Sequence, residues 1–186
     1  CHTPRNRFGA EDSGEQLGGG DADGWRAYAI NSRSQSYVAW NADALYAYLR
    51  NGWHEQHGAA YGPMAPVTDS LASVADTDVR AIAVYVASLT NTQDRKAPAK
   101  ANSDPPSNDT GAAIYATACA SCHDGARPLP FGGVKLMLST AVTGDTPTNL
   151  IRVILEGIQP PAGTSGPMMP GLANALTDGQ LESLIA

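Results

Sequence analysis

The residues of this chain best equipped for chemistry are two cysteines and a histidine, in the order Cys119-Ala-Ser-Cys122-His123. On a helix, two thiols at this spacing sit about one turn apart. They can add to the two vinyl groups of a porphyrin while the adjacent imidazole reaches the iron. Two competing chemistries fit less well. A thioredoxin-like Cys-x-x-Cys wants a βαβ setting, which the flanking pattern lacks. A zinc site needs two further ligands at sensible spacing, and the only other thiol is Cys1. Covalently attached haem c is the predicted cofactor, with Cys119 and Cys122 as attachment points and His123 as an iron ligand.

Haem iron takes a second axial ligand, and after the motif the methionines are Met137, Met168 and Met169. Met169, followed by Pro170-Gly171, is the expected ligand, with Met168 as the alternative and a gap-filling core methionine as the plain one. A thioether raises the potential relative to a second histidine, which suits an electron carrier. The chain opens with Cys1-His2, which match the last two residues of a second attachment motif. On that reading Cys1 binds haem, His2 ligates iron and Met64 is the second ligand. A lipid-acceptor or stray terminal cysteine is the alternative for Cys1. His54 and His57 are lesser candidates for a two-histidine haem. Trp25, Trp40 and Arg5 could meet a propionate, or serve as core and surface residues.

The elements that must carry these residues recur in the same order. Asn41 is placed to cap a helix through Leu45, Tyr46 and Leu49 that ends at Asn51-Gly52. Thr146 or Thr148 opens a second segment through Leu150, Ile151, Ile154 and Leu155 that ends at Gly157. Met64 lies 12 residues after Gly52, and Met169 lies 12 after Gly157. A last helix follows in each half, over 76–89 with Val79, Ile82, Ala83 and Val86 on one face, and from Thr177 onward with Leu181, Leu184 and Ile185. A helix over 111–118 leads into the second motif, and its counterpart would precede Cys1. Residues 91–110 are polar and Pro-rich, which predicts a linker. With no sustained alternation and no Asn-Gly hairpin between apolar runs, the predicted fold is all-α. It comprises two tandem domains, 1–90 and 111–186, with the first lacking its leading helix and the second its full last one.

Composition agrees with this division. The 186 residues are 42% hydrophobic but only 6% aromatic, so two domains of this size would have thin cores that a bulky apolar group would fill. A formal net charge of -6 argues against a nucleic-acid partner, which wants a basic face. Three cysteines do not make a disulfide framework. No apolar run approaches the roughly 20 residues of a membrane span. Both ends look cut, and a missing segment could carry an export signal or a membrane attachment.

The stretches Cys1-His2-Thr3-Pro4-Arg5-Asn6, Gly62-Pro63-Met64-Ala65-Pro66 and Gly166-Pro167-Met168-Met169-Pro170-Gly171 resemble the multihaem cytochrome c subunits of bacterial periplasmic dehydrogenases. These include the cytochrome subunits of molybdenum hydroxylases of the nicotinate, aldehyde and isoquinoline type, and those of membrane-bound alcohol and gluconate dehydrogenases. The segment from His57 to Met64, His-Gly-x-x-x-Gly-Pro-Met, leans toward the first branch. The resemblance implies class I cytochrome c domains, two haems here and three in the full-length protein. It implies ligand pairs His2 with Met64 and His123 with Met169, and an electron-transfer subunit with no catalysis of its own. It further implies a catalytic dehydrogenase as partner, a quinone or terminal oxidase or cytochrome as acceptor, and a periplasmic location. The rival functions are a dihaem peroxidase, which needs an iron with an open position, and a haem gas sensor.

Overall fold

The computed structural model describes residues 1–90, 109–124, 135–160 and 165–186, so residues 91–108 of the linker expected at 91–110 lie outside the described residues. Asp109 and Thr110, expected to close that linker, instead form the first turn of a helix.

In the first half, a short antiparallel hairpin pairs β1 (Gly20–Ala22) with β2 (Trp25–Ala27). Its two-residue turn is Asp23-Gly24, with φ of 50° and 76°. Both residues being left-handed is what a tight turn matched to the strand twist requires, and Asp-Gly supplies it cheaply. Helix α1 (Ala42–Asn51) follows, its first turn capped by the Asn41 side chain, which accepts from Ala44 N–H at 2.8 Å. It stops at Gly52, whose φ of 77° is the left-handed conformation that glycine adopts without strain. A second hairpin, β3 (Trp53–His54) with β4 (Gly58–Ala59), leads through a 3-10 turn at Gly62–Met64 into α2 (Ala65–Leu71) and then α3 (Asp76–Leu89).

Helices α1 and α3 pack together around Leu45, Leu49, Val79 and Ala83, with Trp40, Tyr48, Met64 and Leu71 closing the rim. Each large side chain buried there stabilises the fold by about 1.5–3 kcal/mol. Val79 and Ala83, one turn apart, are both fully buried, whereas Ile82 stays 41% exposed. The predicted apolar face of α3 is therefore narrower than its sequence suggested, because 82 lies to one side of the 79/83 row.

The second half contains α4 (Asp109–Ile114), a π-helical turn at Tyr115–Cys119 and α5 (Ala120–His123), forming one nearly continuous helical run. After α6 (Thr140–Thr143) comes α7 (Thr148–Glu156), which buries Val153 and Ile154, and then α8 (Asp178–Ile185), which packs against α4. Thr148 is the first residue of α7, and Pro147 rather than Thr146 takes the cap position. Thr177 caps α8 in a reciprocal capping box with Gln180.

The fold is thus mostly helical, but the all-α expectation is corrected by two small antiparallel sheets. Their strands are two or three residues long, too short for period-2 alternation to register. The Asp23-Gly24 dipeptide was the available signal. No helix among the described residues is long and apolar enough to cross a membrane.

Candidate haem sites

His2 is held at two atoms by the first hairpin. Gly19 N–H donates to its backbone carbonyl at 2.8 Å, and its ring Nδ1 lies 2.6 Å from the Tyr28 carbonyl just beyond β2. A carbonyl can only accept, so Nδ1 carries the proton and Nε2 is left with a lone pair for a metal. Gly20 is required beside this segment, since a Cβ there would stand 2.4 Å from the Cys1 carbonyl oxygen. The Cys1 thiol itself is free and exposed.

The same hairpin touches the segment bearing Met64. Trp25, 8% exposed, packs against Tyr61 at 5.3 Å between centroids and against Gly62. A side chain at Gly62 would come within 2.6 Å of the indole, and its φ of 53° also favours glycine. Met64, last residue of that 3-10 turn, is half-buried at the edge of the Leu45–Leu49–Val79–Ala83 cluster. One hairpin therefore braces both candidate ligands of the first half, His2 by hydrogen bonds and the Met64 turn by aromatic packing.

Three tyrosines surround this region. Burial pushes the phenols of Tyr28, Tyr48 and Tyr61 above their usual range, so they remain protonated donors. The buried Tyr28 hydroxyl lies beside Asn149 and Tyr61 without closing a hydrogen bond of good geometry to either.

In the second half Cys119 and Cys122 are free thiols, Cys119 half-buried at the end of the π-turn and Cys122 exposed on α5. The helical setting expected for the motif is present, and the π-turn is an irregularity that recurs at functional sites. Burial raises the Cys119 thiol, with Cys122 adding to the effect, and burial lowers His123 despite the neighbouring Asp124. A neutral imidazole is the form that ligates iron. Tyr115 Oη donates to Asp124 at 2.8 Å, which ties the helix before the motif to the residue after it.

Met168 and Met169 part company clearly. Met168 is 72% exposed, whereas Met169 is half-buried and exchanges two backbone hydrogen bonds of 2.9 Å with Ile158 in an isolated antiparallel bridge. Gly157 has φ of 76°, and a Cβ there would meet the Met169 carbonyl oxygen at 2.5 Å.

The lesser candidates have other partners. His57 stacks on Trp40 at 3.5 Å between centroids, and His54 Nδ1 accepts from Gln56 N–H at 3.2 Å. Trp40 also meets Tyr48 edge-on and belongs to the core rim. Arg5 is exposed and donates to the Gly9 carbonyl at 2.8 Å. A cavity of about 170 Å³ between the halves, lined by Gly52, Trp53, Thr68, Pro160 and Pro167 among others, contains none of the candidate ligands. Two features went unforeseen from residue types: the Tyr28 carbonyl, because a main-chain acceptor has no residue signature, and Asn149, which contacts β2 from α7.

The residues present suit haem c. Free thiols stand at Cys1, Cys119 and Cys122, and one histidine has its tautomer set for ligation.

Comparison with known proteins agrees. The family described as cytochrome c oxidase, cbb3-type, subunit III matches residues 106–186. A nicotinate dehydrogenase subunit of Pseudomonas putida is 41% identical over an alignment covering all of this chain and 16% of that protein. The gluconate 2-dehydrogenase cytochrome c subunit of Pantoea cypripedii is 33% identical, covering all of this chain and 47% of its own length. The fructose dehydrogenase cytochrome subunit of Gluconobacter japonicus is 31% identical over 99% of this chain and 44% of its own. The chain thus spans less than half the length of these relatives.

Proposed function

We propose, from the premise that this chain is homologous to cytochrome c subunits of dehydrogenases and carries a cytochrome c domain at residues 106–186, that it relays single electrons from a partner dehydrogenase toward a respiratory acceptor. Two haems c serve this relay, in domains spanning 1–90 and 111–186. The observation that carries the reading is Cys119-Ala-Ser-Cys122-His123, with free thiols on a helical run inside the matched region. Haem iron, when bound, supplies a one-electron couple whose potential the protein sets.

This chain's own residues do the rest. Cys119 and Cys122 hold one porphyrin, and Cys1 contributes to the other. His2 and Met64 would ligate one iron, and His123 and Met169 the other. Thioether ligation raises the potential and leaves no open position for peroxide, so the chain conducts rather than catalyses. The His2 tautomer and the contrast between exposed Met168 and half-buried Met169 support these assignments. The partner is a dehydrogenase of the nicotinate type, built around a molybdenum hydroxylase, and the 41% identity to the nicotinate dehydrogenase relative favours it. The gluconate and fructose dehydrogenase relatives favour a sugar or alcohol dehydrogenase as the second reading. Haem attachment of this kind favours a location in the periplasm or on the periplasmic face of the cytoplasmic membrane, and the full-length protein adds a third haem.

The test is haem quantification per chain, with optical spectra of the air-oxidised and dithionite-reduced protein. Two haems in residues 1–186, sharp reduced c-type bands and a weak far-red sulfur-to-iron band are expected. A single haem removes the first site.

A further inference from the structure

The β1–β2 hairpin that holds His2 is itself held from the other half of the chain. With a two-residue turn at 23–24, Ala22 and Trp25 form the inner hydrogen-bonded pair, and the next pair, Asp21 with Arg26, is a non-hydrogen-bonded one. The Arg26 N–H and C=O therefore point outward, along the open edge of β2. Asn149, in the first turn of α7 and only 2% exposed, occupies that edge with both ends of its carboxamide. Its Oδ1 accepts from Arg26 N–H at 2.8 Å and its Nδ2 donates to Arg26 C=O at 2.9 Å. The side chain does what a third strand would do, and its burial keeps water from competing.

Two residues beyond Arg26 stands the Tyr28 carbonyl, the acceptor of the His2 Nδ1 proton at 2.6 Å. The hydrogen bond opposite a metal-binding nitrogen fixes the ring's orientation and raises its basicity as a ligand. We propose that Asn149, a residue of the second half, is a positioning residue for the first haem site: by clamping β2 it sets the carbonyl that orients and polarises His2. The inference rests on His2 being an iron ligand, as proposed above. Losing the clamp lets the Tyr28 carbonyl drift, weakens the His2 hydrogen bond and makes the imidazole a poorer donor. The ferric state of the first haem loses stabilisation, and that haem's potential rises. The second haem, although nearer to Asn149 in sequence, keeps its own.

The experiment compares full-length, haem-loaded protein with its Asn149→Ala and Asn149→Asp variants by redox titration and by electron paramagnetic resonance of the ferric state. Asp keeps the acceptor toward Arg26 N–H and replaces the donor toward Arg26 C=O by a second acceptor, so it breaks half the clamp at nearly constant volume. Met169→His and Met64→His backgrounds in turn give the second and the first haem a separate two-histidine signal, so each shift can be assigned among the haems of the full-length protein. The expected result is an upward shift of the first haem's potential with an altered resonance, larger for Ala than for Asp, and an unmoved second haem. Arg26→Ala, which alters only a side chain outside the clamp, should leave both haems unchanged.

Equal shifts at both haems, a shift at the second alone, or no shift in a protein holding both haems would each overturn the proposal while leaving the electron-transfer reading intact. Only one haem bound in the unsubstituted chain would remove the first site and this inference with it. If Asn149→Ala does not fold, Asn149→Asp and Arg26→Ala still decide the matter.

Discussion

The two halves of the molecule place a methionine 12 residues after a helix-ending glycine, yet they hold it differently. In the first half the chain after Gly52 closes a hairpin at Ala59, and Met64 then ends a 3-10 turn leading directly into α2. In the second half Met169 is itself a rung of a bridge to Ile158, next to the glycine that ends α7. Met64 is positioned through packing, against the core cluster and behind the Trp25–Gly62 contact. Met169 is positioned by two main-chain hydrogen bonds. Equal spacing along the chain thus specifies where a residue falls but not which forces keep it there. The histidines differ as well, since His2 is oriented by a hairpin remote in sequence and His123 sits at the end of its own helical run.

The strongest way to break this comparison is to remove one covalent anchor. Cys119→Ser combined with Cys122→Ser should lower the haem content from two to one per chain, read as mass and as pyridine haemochrome. Next come the axial ligands. Met64→Ala and Met169→Ala should each remove about half of the far-red sulfur-to-iron absorbance and lower one potential. Met168→Ala, at a 72% exposed position, should leave both unchanged, and loss of the band in that variant would reassign the ligand.

Packing offers a smaller effect. Leu49→Ala in the first-half core should cost about 2–5 kcal/mol in denaturant unfolding, since Leu49 is only 8% exposed. Helix ends separate the halves again. Asn41→Ala should cost about 1 kcal/mol by removing the bond to Ala44 N–H, whereas Pro147, with no capping side chain to lose, should be near neutral when replaced by alanine.

The smallest expected effect is confined to high pH. Burial and the bond to Asp124 push the Tyr115 phenol up to about 12 from its ordinary 10.0. A raised acid favours its protonated form in the folded state, so this contribution is complete below pH 10 and disappears as pH rises through about 12. Tyr115→Phe should remove one phenol ionising near pH 12 from an alkaline absorbance titration, and loss of one ionising near 10 instead would deny the shift.

Residue order alone carried the expectation of an attachment motif, because Cys-x-x-Cys-His ties chemistry to spacing within one helical turn. It also settled the ends of the long helices, since Asn41, Gly52, Gly157 and Thr177 act on their immediate neighbours. It located Met64 and Met169 by a repeat visible without any structure. The hairpins stayed hidden, their strands too short for a pattern and their one clue the Asp23-Gly24 turn. Tertiary structure decided what depends on groups far apart in the chain: the proton on His2 Nδ1, turned toward a carbonyl 26 residues away, and the grip of Asn149 on a strand edge 123 residues away. Main-chain acceptors carry no residue identity, and a carboxamide is as common on a surface as in a clamp. Only folding could tell them apart.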